Sequence, residues 1–233
     1  MVIFPAKILI AGGSNRHGIT IGTITNIVEI VDLINPNFAL KWNDDRAARI
    51  GSIGGILQNQ PLICEGRDSN ATNFNNGIIL GSNQEIPLIK GRRFASSVVL
   101  KKTRLLVTGG WDEKRKDMNS SEFISLDQPP EDGPKLPFTV FEHCMVQVNS
   151  NTIYLIGGWQ DNERSEKTWI IDAKNNFAIK EGPTMNNSRY YHSCATMRLN
   201  NKVFIIVVGD YWCRLHTEIL DTSLPTNKWK TGK

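Results

Sequence analysis

Five times, a short apolar run in this 233-residue chain drives into a glycine-centred turn, at a spacing of about fifty residues. The runs are Lys7–Gly13, Pro61–Gly66, Leu105–Gly110, Ile153–Gly158 and Phe204–Gly209. Their last glycines fall at 13, 66, 110, 158 and 209, in steps of 53, 44, 48 and 51. A period of that length marks a repeat architecture, in which each unit buries its apolar surface against its neighbours.

Each repeat has the same internal order. After the glycine turn comes a variable loop, then a strand that often closes on an acid, as at Thr25–Asp32, Ser121–Asp127, Lys167–Asp172 and Thr217–Asp221. A second short strand follows, with Phe38–Trp42 and Phe177–Lys180 nearly the same words, and Trp229 in the matching place. A last strand, such as His143–Val148 or His192–Met197, returns the chain to the next glycine turn. Strands of this length, rich in Ile, Val, Leu and aromatics and punctuated by Gly, Pro, Asn and Asp, are an all-β signature. No segment keeps a helical apolar period over three turns. Four strands per period is the arithmetic of a propeller blade. The expected organisation is one domain, residues 1–233, with repeats at about 7–56, 57–99, 100–148, 149–197 and 198–233. The glycines read as structural, because a strand packed on both faces must turn where backbones approach closely. No phosphate-binding glycine motif follows any of these strands.

An apolar strand with Gly-Gly, a strand ending in an acid, a Trp-bearing strand and a return strand introduced by Arg and His together resemble kelch repeats. The fourth copy is closest, with Tyr154–Trp159, Asp172, Glu181–Pro183 and Met185–His192. Copy two carries Glu65-Gly66 and copy five Val208-Gly209 where Gly-Gly is expected. The resemblance implies a kelch-type β-propeller of five recognisable four-stranded blades. It also implies an incomplete seam: the first copy enters at its glycine strand, and the fifth ends where the next return strand should begin. The expectation is a fragment of a larger, six-bladed propeller.

Composition narrows the function classes. The net charge of +4 is modest and its basic clusters are interleaved with acids, so no nucleic-acid partner is expected. No apolar stretch approaches the roughly 20 residues needed to span a bilayer, and no signal-peptide pattern is present. Cys64, Cys144, Cys194 and Cys213 form no C-x-x-C pair. They read as small buried hydrophobes, with Cys144 and Cys194 at equivalent places in two repeats, which suits a reducing, cytoplasmic setting. Three sequons, beginning at Asn70, Asn119 and Asn186, matter only in a secreted protein.

Kelch propellers bind at the loops of one face. The residues that match those loops are Arg46, Arg49, Arg92, Arg93, Arg189 and Tyr190 before the return strands, and Trp111, Trp159, Tyr211 and Trp212 after the glycine turns. Arginine beside tryptophan is the composition of binding hot spots. Arginines converging from several blades favour an acidic peptide, through bidentate pairing with carboxylates. For each arginine, bracing of neighbouring loops is the open alternative, and His143 and His192 read as core residues. Trp42, Trp169 and Trp229 read as packing.

The resemblance implies a non-catalytic protein–protein interaction module, in substrate recognition for a ubiquitin ligase or scaffolding on actin. The alternative is a small-molecule enzyme of the oxidase or epimerase type, since kelch-like propellers include both. No catalytic set, metal site or cofactor site can be picked out of the four tyrosines and four histidines. The iron-binding pattern of plant specifier proteins is approached at Glu113 and Asp117, but Ser121 stands where its histidine belongs. Asp112, Asp161 and Asp210 follow the glycine turns, where acids usually bond local backbone N–H groups.

Overall fold

The computed structural model describes residues 7–11, 14–15, 23–24, 27–32, 39–211, 216–223 and 228–232, with side chains from residue 43 onward. Trp212, Cys213 and the side chain of Trp42 lie outside it. The described chain is all-β, apart from one 3-10 turn at Asp45–Ala47 capped by the Asp44 side chain.

Five larger antiparallel sheets follow one another along the described sequence, with two small ones, Ser14–Asn15 with Thr23–Ile24 and Val140–Phe141 with Trp159–Gln160 and Glu163–Arg164, formed in the loops. The first has three strands, Lys7–Ala11, Ile27–Asp32 and Ala39–Asn43. The other four have four strands each, in simple up-and-down order. Their first strands are Ile53–Leu57, Ser96–Leu100, Cys144–Gln147 and Ser193–Leu199. Each of these adjoins the next, so the first strands line up side by side. This arrangement is propeller-like. The four-stranded sheets are offset by one strand from the sequence repeats: each opens on the return strand of one repeat and takes its other strands from the next.

The core is the set of interfaces between sheets. In the strand Arg104–Thr108, Leu105 and Val107 pack with Leu57, Leu62 and Ile79 of the second sheet, while Leu106 packs with Ile153 and Leu155 of the fourth. In Thr152–Ile156, Tyr154 and Ile156 turn instead to Ile205, Val207 and Leu220 of the fifth. Side chains alternate along a strand, so a strand apolar at every position serves two interfaces at once. That explains the unbroken apolar runs before the glycines. Trp229 is buried in the last interface, its indole N–H donating to the Pro183 carbonyl at 2.8 Å. Trp169, half-buried, stacks on Phe138.

Two expectations are corrected by register. Cys144 and Cys194 are not free buried thiols: they form a disulfide, Cα to Cα 6.0 Å, between the first strands of the fourth and fifth sheets. Cys144 lies opposite Ile156, but Cys194 lies opposite Val207, one residue before the counterpart of Ile156. One step of register reverses the face a side chain presents. The two sulfurs therefore point into the same interface from opposite sides. The reducing-compartment argument built on these cysteines falls with the pairing. Cys64 is a free, buried thiol. In the fifth repeat, Val208 lies opposite Ser193 as Thr108 lies opposite Ser96. Gly209 is thus the counterpart of Gly109, and Asp210 holds the place of the second glycine.

The glycine pair is explained at Gly157-Gly158. Both have positive φ, and a Cβ on Gly157 would stand 2.7 Å from the Arg189 carbonyl oxygen and 2.9 Å from the His192 ring. The first loop of the next sheet sits directly on this backbone. No described helix is long and apolar enough to cross a membrane.

Candidate functional site

The loops before the first strands and the loops after the glycine pairs meet at one end of the sheets. A repeated backbone pattern joins them. Ile50 bridges Arg67, Arg93 bridges Trp111, and Phe141 pairs with Trp159. In the last repeat the Tyr211 N–H donates to the Tyr190 carbonyl at 3.0 Å. Each residue after a glycine pair is therefore held by main-chain bonds, and its side chain is free to vary.

Four of the five arginines expected to bind a partner do not reach the surface, Arg93 among them. Arg49, Arg92 and Arg189 are each 1% exposed. Arg92 donates to the carbonyls of Gly109 and Ser120, at 3.0 and 2.9 Å, and pairs with Glu122 and Glu65 at 3.0 and 3.1 Å. Arg189 repeats this, donating to the carbonyls of Gly209 and His216 at 2.8 and 2.7 Å and pairing with Glu218 at 3.0 Å. Arg49 donates to the carbonyls of Glu65, Asn76 and Arg46. Burial lowers its pKa to about 10. These three are braces inside the sheet, and the bracing alternative holds for them.

The brace explains the odd second repeat. Glu65 takes the first glycine's place with φ of 61°, an uncommon conformation for a side-chain-bearing residue, and sends its carboxyl to Arg92. Burial holds that carboxyl's pKa well above the ordinary range, against the pull of Arg92. Arg46 stays near the surface, tied to Asp44 at 2.8 Å. Arg93 is buried but lies under the face: it donates to Asn73 Oδ1 at 2.5 Å, and its guanidinium is 5.6 Å from the Trp111 ring. Burial, then the nearby Arg67 and Arg115, lowers its pKa.

What the face gathers is aromatic. Phe94, Trp111, Phe141, Trp159, Tyr190, Tyr191 and Tyr211 form one connected network, with successive ring centroids 4.5 to 6.3 Å apart. Trp111, Trp159 and Tyr211 were expected at this end from their place after the glycine turns, and Tyr190 from its place before a return strand. Phe94, Phe141 and Tyr191 were not. Tyr191 and Tyr211 are about half exposed, at 49% and 51%. Asp117 accepts from the Trp111 indole at 2.8 Å, and Arg164 lies over Tyr190 at 5.2 Å.

At the inner edge of this face a second ladder runs from sheet to sheet. The Phe94 N–H donates to Gly51 O at 2.9 Å, Glu142 N–H to Phe94 O at 2.8 Å, and Tyr191 N–H to Glu142 O at 3.2 Å. All four residues are left-handed, with φ of 68°, 58°, 54° and 55° in chain order. Three bulky side chains in a conformation suited to glycine mark a place where the surroundings over-determine the backbone. The rings of Phe94 and Tyr191 come within 5.7 Å although their sheets are not neighbours in sequence. They close over Glu142.

Glu142 is 8% exposed, and the Tyr191 hydroxyl hydrogen-bonds its carboxyl. Burial raises its pKa to about 7, and burial with the Glu142 contact raises that of Tyr191. Behind it, His143 and His192 are buried, with pKa values lowered by burial to about 3 and about 4. His143 shares a hydrogen bond with Thr108 Oγ1 at 2.8 Å. Of the three loop acids, Asp112 bonds the backbone of its own turn, and the other two reach across to other loops. Asp112 accepts from the N–H groups of Lys114 and Lys116, Asp161 from Thr139, and Asp210 pairs with Arg164 at 2.9 Å. Among the described residues, no group of three or more His, Cys, Asp or Glu side chains is arranged to hold a metal ion.

At the other end of the sheets, hollows of about 550 and 320 Å³ flank the Asn149–Asn151 turn, lined by Lys101, Lys102, Lys174, Lys180 and Arg198 among others. They hold no comparable aromatic group.

A scan against models of known protein families finds no match, and a search of curated proteins finds no relative.

Proposed function

We propose that this chain is a kelch-type β-propeller, or most of one, and works as a protein-interaction module without chemistry of its own. The observation that carries the reading is the seven-ring aromatic network, gathered from three sheets onto one end and rising to two half-exposed tyrosines. Large rings with few rotatable bonds lose little entropy when a partner covers them, and tyrosine and tryptophan dominate the energetics of interfaces. The brace arginines and main-chain ladders support it by presenting these rings on a preformed surface, which lowers the cost of binding. The partner is a protein; substrate recognition for a ubiquitin ligase and scaffolding on actin are the roles the kelch resemblance suggests. The acidic-peptide version of the reading loses the converging arginines Arg49, Arg92, Arg93 and Arg189, which are all buried. The double substitution Tyr191→Ala with Tyr211→Ala is expected to weaken partner binding at least tenfold while the unfolding midpoint stays put. Retained affinity in that variant contradicts the reading.

A further inference from the structure

The structure describes five buried acids: Glu65, Glu122, Glu142, Asp210 and Glu218. Four of them have a guanidinium within 3.1 Å. Arg92 serves Glu65 and Glu122, Arg164 serves Asp210, and Arg189 serves Glu218. Glu142 has none among the described residues, its Oε2 atom is buried without a hydrogen-bond partner, and the Tyr191 hydroxyl lies beside its carboxyl. This chain otherwise answers a buried carboxyl with an arginine, because an unpaired buried charge is costly. The unanswered carboxyl lies at the inner edge of the aromatic face, under the rings of Phe94 and Tyr191.

We propose that Glu142 is the anionic floor of a pocket for a basic side chain, an arginine or lysine, carried by the protein partner. The proposal rests on the interaction-module reading and names the chemistry of one contact in it. The aromatic walls fit the cation as the floor does: Phe94, Tyr190, Tyr191 and Tyr211 offer π faces, and this protein already places its own Arg164 over Tyr190 at 5.2 Å. Tyr191, half exposed and hydrogen-bonded to the carboxyl, is the cover; its rotation outward opens Glu142, and the arriving cation takes over the hydrogen bond. The left-handed backbone at Phe94, Glu142 and Tyr191 fixes where the three side chains emerge. Binding of a cation requires the ionised carboxyl, so affinity rises with pH through the neutral range. The other titratable groups facing Glu142 do not change charge there: Tyr190 and Tyr191 have raised pKa values, and His143 and His192 behind it stay neutral.

The test is an NMR titration with two capped tripeptides, acetyl-Ala-Arg-Ala-amide and its citrulline counterpart, which keeps the shape of arginine and removes the charge. The expected result is that the arginine peptide shifts the Glu142 carboxyl carbon and the Phe94 and Tyr191 ring signals. The citrulline peptide should bind at least tenfold more weakly. Glu142→Gln, which keeps the shape and the tyrosine hydrogen bond, should abolish that discrimination without lowering the unfolding midpoint. Tyr191→Phe should retain it. Equal binding of the two peptides, an unchanged preference in Glu142→Gln, or no shift at Glu142 from either peptide overturns the proposal. If the Tyr191→Ala/Tyr211→Ala variant loses its protein partner while Glu142→Gln keeps it, the face stands and only the basic pocket falls. If that double variant keeps the partner, the face itself is wrong.

Discussion

Val140 and Trp169 show what the buried arginines do. By register, Val140 stands in the fourth sheet where Arg92 and Arg189 stand in the third and fifth, and Trp169 stands where Glu122 and Glu218 do. The ion pair is replaced as a unit: an apolar residue stands at each end, and Trp169 packs on Phe138 at 4.5 Å. The main-chain task survives the exchange. Val140 O accepts from the Gly110 N–H at 2.8 Å, as Arg189 O accepts from Gly158 at 2.7 Å. A well-packed apolar pair can stand in for a buried ion pair, whereas breaking the pair strands a charge. Arg189→Met alone is therefore expected to cost about 3 to 5 kcal/mol, leaving Glu218 buried without its cation and two carbonyls without their donor. Adding Glu218→Leu should recover part of that loss, giving a clear non-additive cycle in urea unfolding. An additive result would mean that the pair does not act as a unit. Sequence alone could not separate brace from surface, because an arginine before a strand reads the same in both roles. Glu142, Phe94 and Tyr191 were illegible as a set for a related reason: no propensity places Phe, Glu or Tyr in a left-handed turn. Trp111, Trp159, Tyr190 and Tyr211 were legible, since a place after a glycine turn, or for Tyr190 before a return strand, fixes the end of the sheet they occupy.

The strands were the most legible elements. Runs such as Leu105–Thr108 and Ile153–Ile156 are apolar at successive positions, and only a strand packed on both faces needs that. Register was harder to read. The fifth repeat was placed one residue out because Gly209 was matched to the second glycine, and the two cysteines were matched to each other for the same reason: a one-residue slip is invisible in a strand apolar throughout. The glycine pairs supply a test at this scale. At Gly157, an alanine meets both a left-handed φ of 58° and the Arg189 carbonyl at 2.7 Å. At Gly209, φ is 80° but nothing described lies within 4 Å of the added carbon. Gly157→Ala is thus expected to destabilise by about 2 to 4 kcal/mol, and Gly209→Ala by about 1 kcal/mol, the backbone strain alone. Equal costs in chemical denaturation would show that the loop of the next sheet does not rest on Gly157.

In the whole molecule, cohesion comes from contacts between neighbouring sheets. Each apolar interface joins one sheet to the next, Arg92 reaches back from the third sheet to Glu65 of the second, and the Cys144–Cys194 disulfide bridges the fourth and fifth sheets. With its cysteines 50 positions apart in sequence, that bridge is worth about 4 kcal/mol in lost freedom of the unfolded chain. Reduction, or Cys144→Ser with Cys194→Ser, is expected to lower the unfolding midpoint by several degrees, and a non-reducing peptide map should recover the two cysteines joined. An unchanged midpoint would mean that the two sheets are held without it. The bridge also stands directly below the aromatic face, since Cys144 lies two residues after Glu142 and Cys194 three after Tyr191. The central claim is that one end of the stacked sheets is the binding surface. Photo-crosslinking reads it most directly, with a benzoylphenylalanine placed at Tyr211 on the aromatic face and, in a separate protein, at Asn151 on the opposite end. The account predicts discrete protein adducts from position 211 and none from position 151. The same adducts from both positions, or adducts from position 151 alone, would contradict it.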